Sequence, residues 1–422
     1  MLLLSPSEVC YNPRLLKAGD YFTGRGAEVT VFNPVFGIAD LALYESFKAS
    51  RAWRFKEYNI SKRDSQAWAQ WAWASLRHLA AQRLWKRGWA FGWSFPHALN
   101  KGLIGLDTSG ERYDVIVSNL VDTLPLAAEL KRAHGAVLVY DSQEFFTGQA
   151  RSAWAMAWVR EAERRCIGEA DVVIGTTDVM AGRLDEVHGL SSPALRVRNA
   201  PSEAPPANAV SETEGDSKGR RERRPLRLVW HGFQINYRGR GVDVILDALR
   251  RCESDAELYL QGRVSDEQRA LIQEVAAEAG VGARVYFKPP AHPEEIVASI
   301  RAYDVGVSAE QGADENQLLT SSNKVFEYMH AGLAVLAPDL PGLAETLDEY
   351  DVGLLYPPSD PGGLARCIDM LAHDRARCEA FQSNARAAAA EVTWQRDYSA
   401  VFDRIVSGCT TGHEQVVDGY DT

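Results

Sequence analysis

The sequence predicts an α/β protein of two successive domains, each a parallel sheet covered on both faces by helices. Three observations predict it. Strand and helix signals alternate over residues 2–198, a polar Pro-rich stretch interrupts them at 201–225, and the alternation restarts at 226. A chain of 422 residues also has the length of about two domains.

In the first half, short runs rich in Leu, Val and Ile read as strands buried on both faces: residues 2–4, 27–32 (AEVTVF), 114–117 (DVIV), 136–140 (AVLVY), 172–175 and 195–198. Helical spacing fills the gaps at 13–24, 124–133, 154–167 and 179–187. Asn12 followed by Pro13 is an N-cap with proline at the first helical position. The stretch 201–225 is polar and charged, ends in RRERR, and has almost nothing to bury, so it reads as a flexible linker. The second half gives strands at 226–230 (LRLVW), 257–261, 284–287 and 305–308. Its helices fall at 242–250, 267–279, 293–301, 361–372 and 376–392. A last helix covers 394–405, and a small polar tail from 407 reads as disordered.

Composition bounds the function. The chain is 46% hydrophobic and 24% charged, as in a soluble globular protein, and its net charge of −11 argues against nucleic-acid binding. Cysteines 10, 166, 252, 367, 378 and 409 have neither C-x-x-C pairing nor zinc spacing and read as reduced thiols of a cytoplasmic protein. The opening MLLLSPSEV lacks the basic and long apolar regions of a signal peptide, and no run of about 18 apolar residues predicts a membrane span. D-x-D, Walker and G-x-G-x-x-G signatures are missing, so metal-dependent, P-loop and dinucleotide readings lack support.

Residues 48–101 are the compositional outlier. They hold seven of the eleven tryptophans (53, 68, 71, 73, 85, 89 and 93) and eleven Lys or Arg against two acidic residues. Trp with Lys and Arg suits an anionic membrane surface; the alternatives are packing onto the sheet or lining a substrate groove.

Two segments carry the chemistry. Residues 321–342, SSNKVFEYMHAGLAVLAPDLPG, read as polar loop, helix, Gly332 stop, buried strand and a Pro-Gly loop. Asn323, Lys324 and Glu327 stand at the helix start, where free N–H groups and the dipole favour an anion. With a cation and a carboxylate one turn apart, the set suits a ribose diphosphate, which offers two phosphates and a vicinal diol. The second segment, 231–241 (HGFQINYRGRG), lies between strand and helix. Gly232 permits close approach of its backbone to phosphate, and Arg238 and Arg240 supply positive charge.

The string NKVFEYMHAGLAV resembles the N-K-[VL]-F-E-Y-M-x-A-G-[LK]-x-V donor-site motif of a subgroup of family 4 glycosyltransferases. The resemblance covers about residues 2–405 and is strongest over 229–356. It implies a GT-B fold: two facing Rossmann-like, doubly wound domains with a cleft between them. The domains would be 1–200 on the acceptor side, with the Trp-rich insert at 48–101, and 226–391 for the nucleotide sugar. The helix at 392–406 would cross back to the first domain, and 407–422 would be tail.

The resemblance also implies roles. Glu327 would bind ribose. Lys324 and Arg240 would grip the diphosphate, helped by Arg238 because Phe233 stands where many members are basic. Gly342 and Leu343 would offer backbone N–H groups, Asn323 would line the site, and His292 lies where the family contacts the base. In the family's E-x7-E pair the first position falls on Leu319, and Glu310 has the wrong spacing; Asn316, Gln317, Ser321 and Ser322 would replace it as sugar contacts. The D-x-H-E-[LF] loop is matched by Asp141-Ser142-Gln143-Glu144-Phe145, with Gln143 in place of histidine. Gln143 hydrogen-bonds but is no general base. Ser5-Pro6 and Asn12-Pro13-Arg14 resemble the family's first cleft loop, where Arg14 would meet acceptor or phosphate.

The implied activity is retaining, metal-independent transfer from a nucleotide-diphospho-sugar, with UDP or GDP as the carrier and no further cofactor. The acceptor would be a glycan or glycolipid in surface polysaccharide or glycolipid synthesis, met by a peripheral protein on the inner membrane face. Gln143 and Leu319 keep a second reading open, an inactive GT-B binding or scaffold protein, and a GT-B nucleotide-sugar epimerase is a third.

Overall fold

A computed structural model describes residues 1–37, 41–61, 64, 65, 67–86, 110–205 and 224–417. The chain divides into two compact units. Unit 1 is Met1–Val197 with the chain from Asp397 onward, and unit 2 is Arg198–Arg396.

Unit 1 is built on β1 (Leu2–Leu4), β2 (Thr30–Val35), β3 (Arg54–Asn59), β4 (Val115–Asn119), β5 (Val137–Asp141), β6 (Val172–Gly175) and β7 (Leu195–Arg196). They form one sheet in the order β3-β2-β1-β4-β5-β6-β7, every pair parallel. Strands β1, β4 and β5 are buried along their whole length, as strands covered on both faces must be. The strand order reverses between β1 and β4, so the loops after these strands flank a switch point at the carboxyl edge.

Unit 2 repeats the plan with β8 (Leu226–Gln234), β9 (Ala256–Arg263), β10 (Val285–Lys288), β11 (Val305–Val307), β12 (Ala334–Pro338) and β13 (Gly353–Tyr356). The order is β10-β9-β8-β11-β12-β13, again all parallel, with the switch point between β8 and β11. Side chains alternate across this sheet. Leu226, Leu228, Trp230, Ala334 and Leu336 enter one buried cluster, while Val229, Val335 and Ala337 enter the other.

The structure departs from the sequence reading in several places. Strand β8 runs on to Gln234 through a bulge, so the glycine-rich loop is shorter than 231–241. A helix over Leu41–Ala49, β3 and β13 are additional elements, as are the helices Glu315–Leu319 and Pro341–Tyr350. The last of these turns the expected loop after β12 into a helix start with proline at its first position. The C-terminal helix spans Trp394–Val417, through the first eleven residues of the expected tail. Residues 206–223 and 418–422 lie outside the described residues. Arg224, the last arginine of RRERR, is no solvated linker residue: it makes two bonds of 2.6 and 2.7 Å to the Asp304 carboxylate. Of the tryptophans, Trp53 is buried on Gly19, whose added Cβ would lie 2.4 Å from its ring, and Trp68 and Trp73 are exposed. Trp89 and Trp93 lie outside the described residues.

Candidate active site

In unit 2 the parallel sheet brings the loops after β8, β10, β11 and β12 to one edge. That edge carries Gly232, Arg238 and Arg240; His292; Glu310, Asn323 and Lys324; and Gly342 with Leu343. Ser322, with extended backbone, opens the Asn323–Ala331 helix, and Gly332 closes it in the left-handed conformation. Lys324 Nζ lies 3.2 Å from Glu310 Oε1 and 5.9 Å from the centre of the Trp230 ring. Ser308 Oγ donates to the other Glu310 oxygen. Burial opposes ionisation of Glu310, but the Lys324 charge and hydrogen bonds to the carboxylate outweigh it and hold its pKa below the usual range.

One helical turn beyond Lys324, Glu327 Oε2 lies 3.2 Å from Nε2 of His231, whose ring stands edge-on to Tyr328. Two contacts explain why glycines flank these groups. Gly241 has φ +80°, and a Cβ there would lie 2.2 Å from the Ala309 carbonyl; at Gly342 a Cβ would lie 2.5 Å from the Leu319 carbonyl.

The structure therefore brings Lys324 and Glu327 together with two residues the sequence reading did not choose, Glu310 and His231. Glu310 fails the family spacing yet meets Lys324 through the turn after β11. His231 lies within β8 and not in a loop, one residue past buried Trp230, and that place on a core strand is its signal in the sequence. Arg238, Arg240, Asn323 and His292 are exposed at the same edge, and among the described residues none of them is ion-paired with Glu310 or Glu327. Leu343 is a correction. Its N–H donates to the Leu340 carbonyl at 2.9 Å, so it is not free for a phosphate.

In unit 1 the corresponding edge carries a polar cluster around Asn12. Its side chain accepts from Leu15 N and, at 3.5 Å, from Gln143 Nε2, and donates to Asn119 Oδ1. Arg14 is a second correction. It is buried, with Nε and Nη2 each 2.9 Å from an Asp141 oxygen and Nη1 bonded to the Val197 carbonyl, so it is a structural cation and not a ligand contact. Gln143 has φ +57°, and Glu144 N donates across it to Ser142 O at 2.6 Å, a tight γ-turn. Leu120, after β4, is also left-handed at φ +64° and donates its N–H to Asp141 O. Two strained non-glycine residues thus flank the carboxyl ends of β4 and β5. Glu144 is half-buried and accepts from Gln149 Nε2 at 3.4 Å.

Beneath this turn, Tyr140 donates to Glu163 Oε1 at 3.2 Å, and His188 Nε2 lies 3.7 Å from Oε2. Burial pushes the Glu163 carboxyl up to about 7, against the Tyr140 bond and the Arg151 charge, and pushes His188 down.

Comparison with known proteins supplies the family. The model for glycosyl transferases group 1 matches residues 226–374, and that for the glycosyl transferase 4-like domain matches 14–201. D-inositol 3-phosphate glycosyltransferase of Corynebacterium urealyticum is 27% identical over 250 residues, 56% of this chain and 56% of its own. The Nocardia farcinica protein of that name is 29% identical over 247 residues, 55% of this chain and 51% of its own. The chain thus spans little more than half the length of these relatives. Among solved structures, Anabaena HepE in complex with UDP covers 96% of this chain and 99% of its own at 16% identity and TM-score 0.66. Sucrose-phosphate synthase of Thermosynechococcus elongatus covers 99% of both chains at 16% identity and TM-score 0.64. These two establish fold alone: two Rossmann-like units of the GT-B type. The chain thus carries a glycosyl transferase 4-like domain over residues 14–201 and a glycosyl transferases group 1 domain over residues 226–374, in the two-domain GT-B fold.

Proposed function

We propose that the protein transfers a sugar, with retention at the anomeric carbon, from a nucleoside-diphosphate sugar to an acceptor carried at a membrane, a glycan or glycolipid. The observation that carries the donor half is the helix head at the β8–β11 switch point, where Lys324 and Glu327 stand one turn apart beside a glycine-rich loop. Lys324 and Arg240 take the diphosphate charge and Glu327 the ribose diol. The HepE structures, which hold UDP and UDP-glucose, favour a uridine carrier.

In this reading the bond from C1 to the phosphate oxygen breaks while the acceptor oxygen bonds C1 on the same face. The acceptor's proton passes to the departing phosphate. No protein base is required, so Gln143 serves as a hydrogen-bonding amide.

Thermal-shift titration with UDP, GDP, ADP and their glucose conjugates tests the donor half. One nucleotide should raise Tm in the wild type and not in Lys324→Ala. Proton NMR of the product, from acceptors that include inositol phosphate and lipid-linked sugars, tests retention. Nucleotide binding with no product from any acceptor favours the scaffold reading suggested by Gln143 and Leu319, and donor conversion without acceptor favours an epimerase.

A further inference from the structure

We propose that the outward face of the Trp68–Lys86 helix in unit 1 docks on an anionic lipid surface. The helix is arranged the wrong way round for a protein in water. Its large apolar side chains point out, with Trp68 60%, Trp73 57%, Leu76 61% and Leu79 48% exposed. Small residues point in: Ala74 is buried, as is Ala67 just before the helix. Residues 68, 72, 76, 79 and 83 follow helical spacing as one stripe (Trp, Ala, Leu, Leu, Arg), with Ala69, Trp73 and Ala80 beside it. The helix therefore shows an apolar surface on both sides, only one of which the described residues cover.

Charge selects the occupant. No Asp or Glu stands anywhere in residues 65–106, although the chain as a whole carries −11. Arg83 is exposed on the stripe and Arg77 flanks it. Indole rings beside guanidinium groups match the boundary between acyl chains and anionic headgroups. A second copy fits less well, because residues 65–106 hold no Asp or Glu with which a partner's stripe could pair Arg83 and Arg77. The helix lies on the bilayer and does not cross it: no helix among the described residues is long and apolar enough to span. The inference deepens the proposed function by giving the acceptor's membrane a docking face, but it stands on this helix alone.

The test is flotation of the full chain with vesicles of phosphatidylcholine, with and without phosphatidylglycerol. The wild type should float with the anionic vesicles. Trp68→Ser/Trp73→Ser should lower binding about tenfold or more, and Arg77→Gln/Arg83→Gln about tenfold. Leu271→Ser, an exposed apolar site in unit 2, should leave it unchanged. Nucleotide thermal shift, read in parallel, should persist in all variants. Its absence even in the wild type would count against the donor reading and leave the docking result standing. Equal flotation of wild type and Trp variant, or none for the wild type, overturns the proposal. So does a dimer in solution that the Trp substitutions dissolve, since the face would then belong to a second copy.

Discussion

The Lys324 ammonium and the Glu310 carboxylate sit 3.2 Å apart at the head of the Asn323–Ala331 helix, so the cation best placed for a phosphate is already held by an anion of the protein. Lys324→Met should abolish the nucleotide-induced rise in Tm and lower transfer by about 10²–10³. It should also cost about 1–3 kcal/mol of stability, because the half-buried Glu310 loses the charge that offsets its desolvation. Lys324→Met/Glu310→Gln separates the two effects. Stability in urea should recover while nucleotide binding does not.

Arg14 and Asp141 predict a purely structural phenotype. Both side chains are only 5% exposed, and the fork of two 2.9 Å bonds needs a guanidinium. Arg14→Ala leaves a buried charge unpaired and should cost about 3–5 kcal/mol in urea melts. Arg14→Lys, with a single point of contact, should fall between. An Arg14→Ala protein as stable as the wild type would show that the pair holds nothing together.

Gln143 predicts opposite changes in stability and turnover. Its φ of +57° costs an L-residue about 1–2 kcal/mol that glycine does not incur. Gln143→Gly should therefore raise or preserve Tm while removing the amide and lowering kcat. A fall in Tm would mean that the 3.5 Å bond to Asn12 outweighs the strain of the turn.

Glu163 predicts a pH dependence. Its folded carboxyl titrates near 7 instead of the ordinary 4.5, chiefly through burial, so the folded state holds the proton more tightly than the unfolded chain. The stabilisation is full below 4.5, declines as pH rises towards 7 and is absent above. Glu163→Gln removes this titration, and the wild-type-minus-variant stability should drop by about 3 kcal/mol across that window. Buried His188, pushed down, contributes with the opposite sign over an overlapping range, which is why the difference curve is the measurement to take. A difference curve that is flat from pH 4 to 8 would show Glu163 ionising normally.

The parallel sheets were legible because β4, β5 and β12 each open on an apolar run (VIV, VLVY and AVLA), a signal carried within each strand. The helix head with Lys324 and Glu327 was legible for a similar reason: its residues are neighbours in sequence. What the sequence concealed are pairings made by the sheet. Glu310 meets Lys324 from 14 positions away, and Arg14 meets Asp141 from 127. In both cases the partner is fixed by which strand end lies beside which loop. The same reason explains Arg14's misreading as a ligand contact. Spacing over residues 68–83 does not say which face of the Trp68–Lys86 helix is covered, and here the smaller residues face in.

The C-terminal helix has a consequence for how the protein is made. Tyr398 and Phe402 pack their rings on Tyr21 and Phe22, near the opposite end of the chain, and Arg25 lies over Tyr21 and Phe402. Unit 2 is one uninterrupted length of chain, whereas unit 1 is closed by residues that follow it. A ribosome therefore begins unit 1 first and finishes it last. All of unit 2 emerges while Tyr21 and Phe22 still await the aromatic wall that covers them.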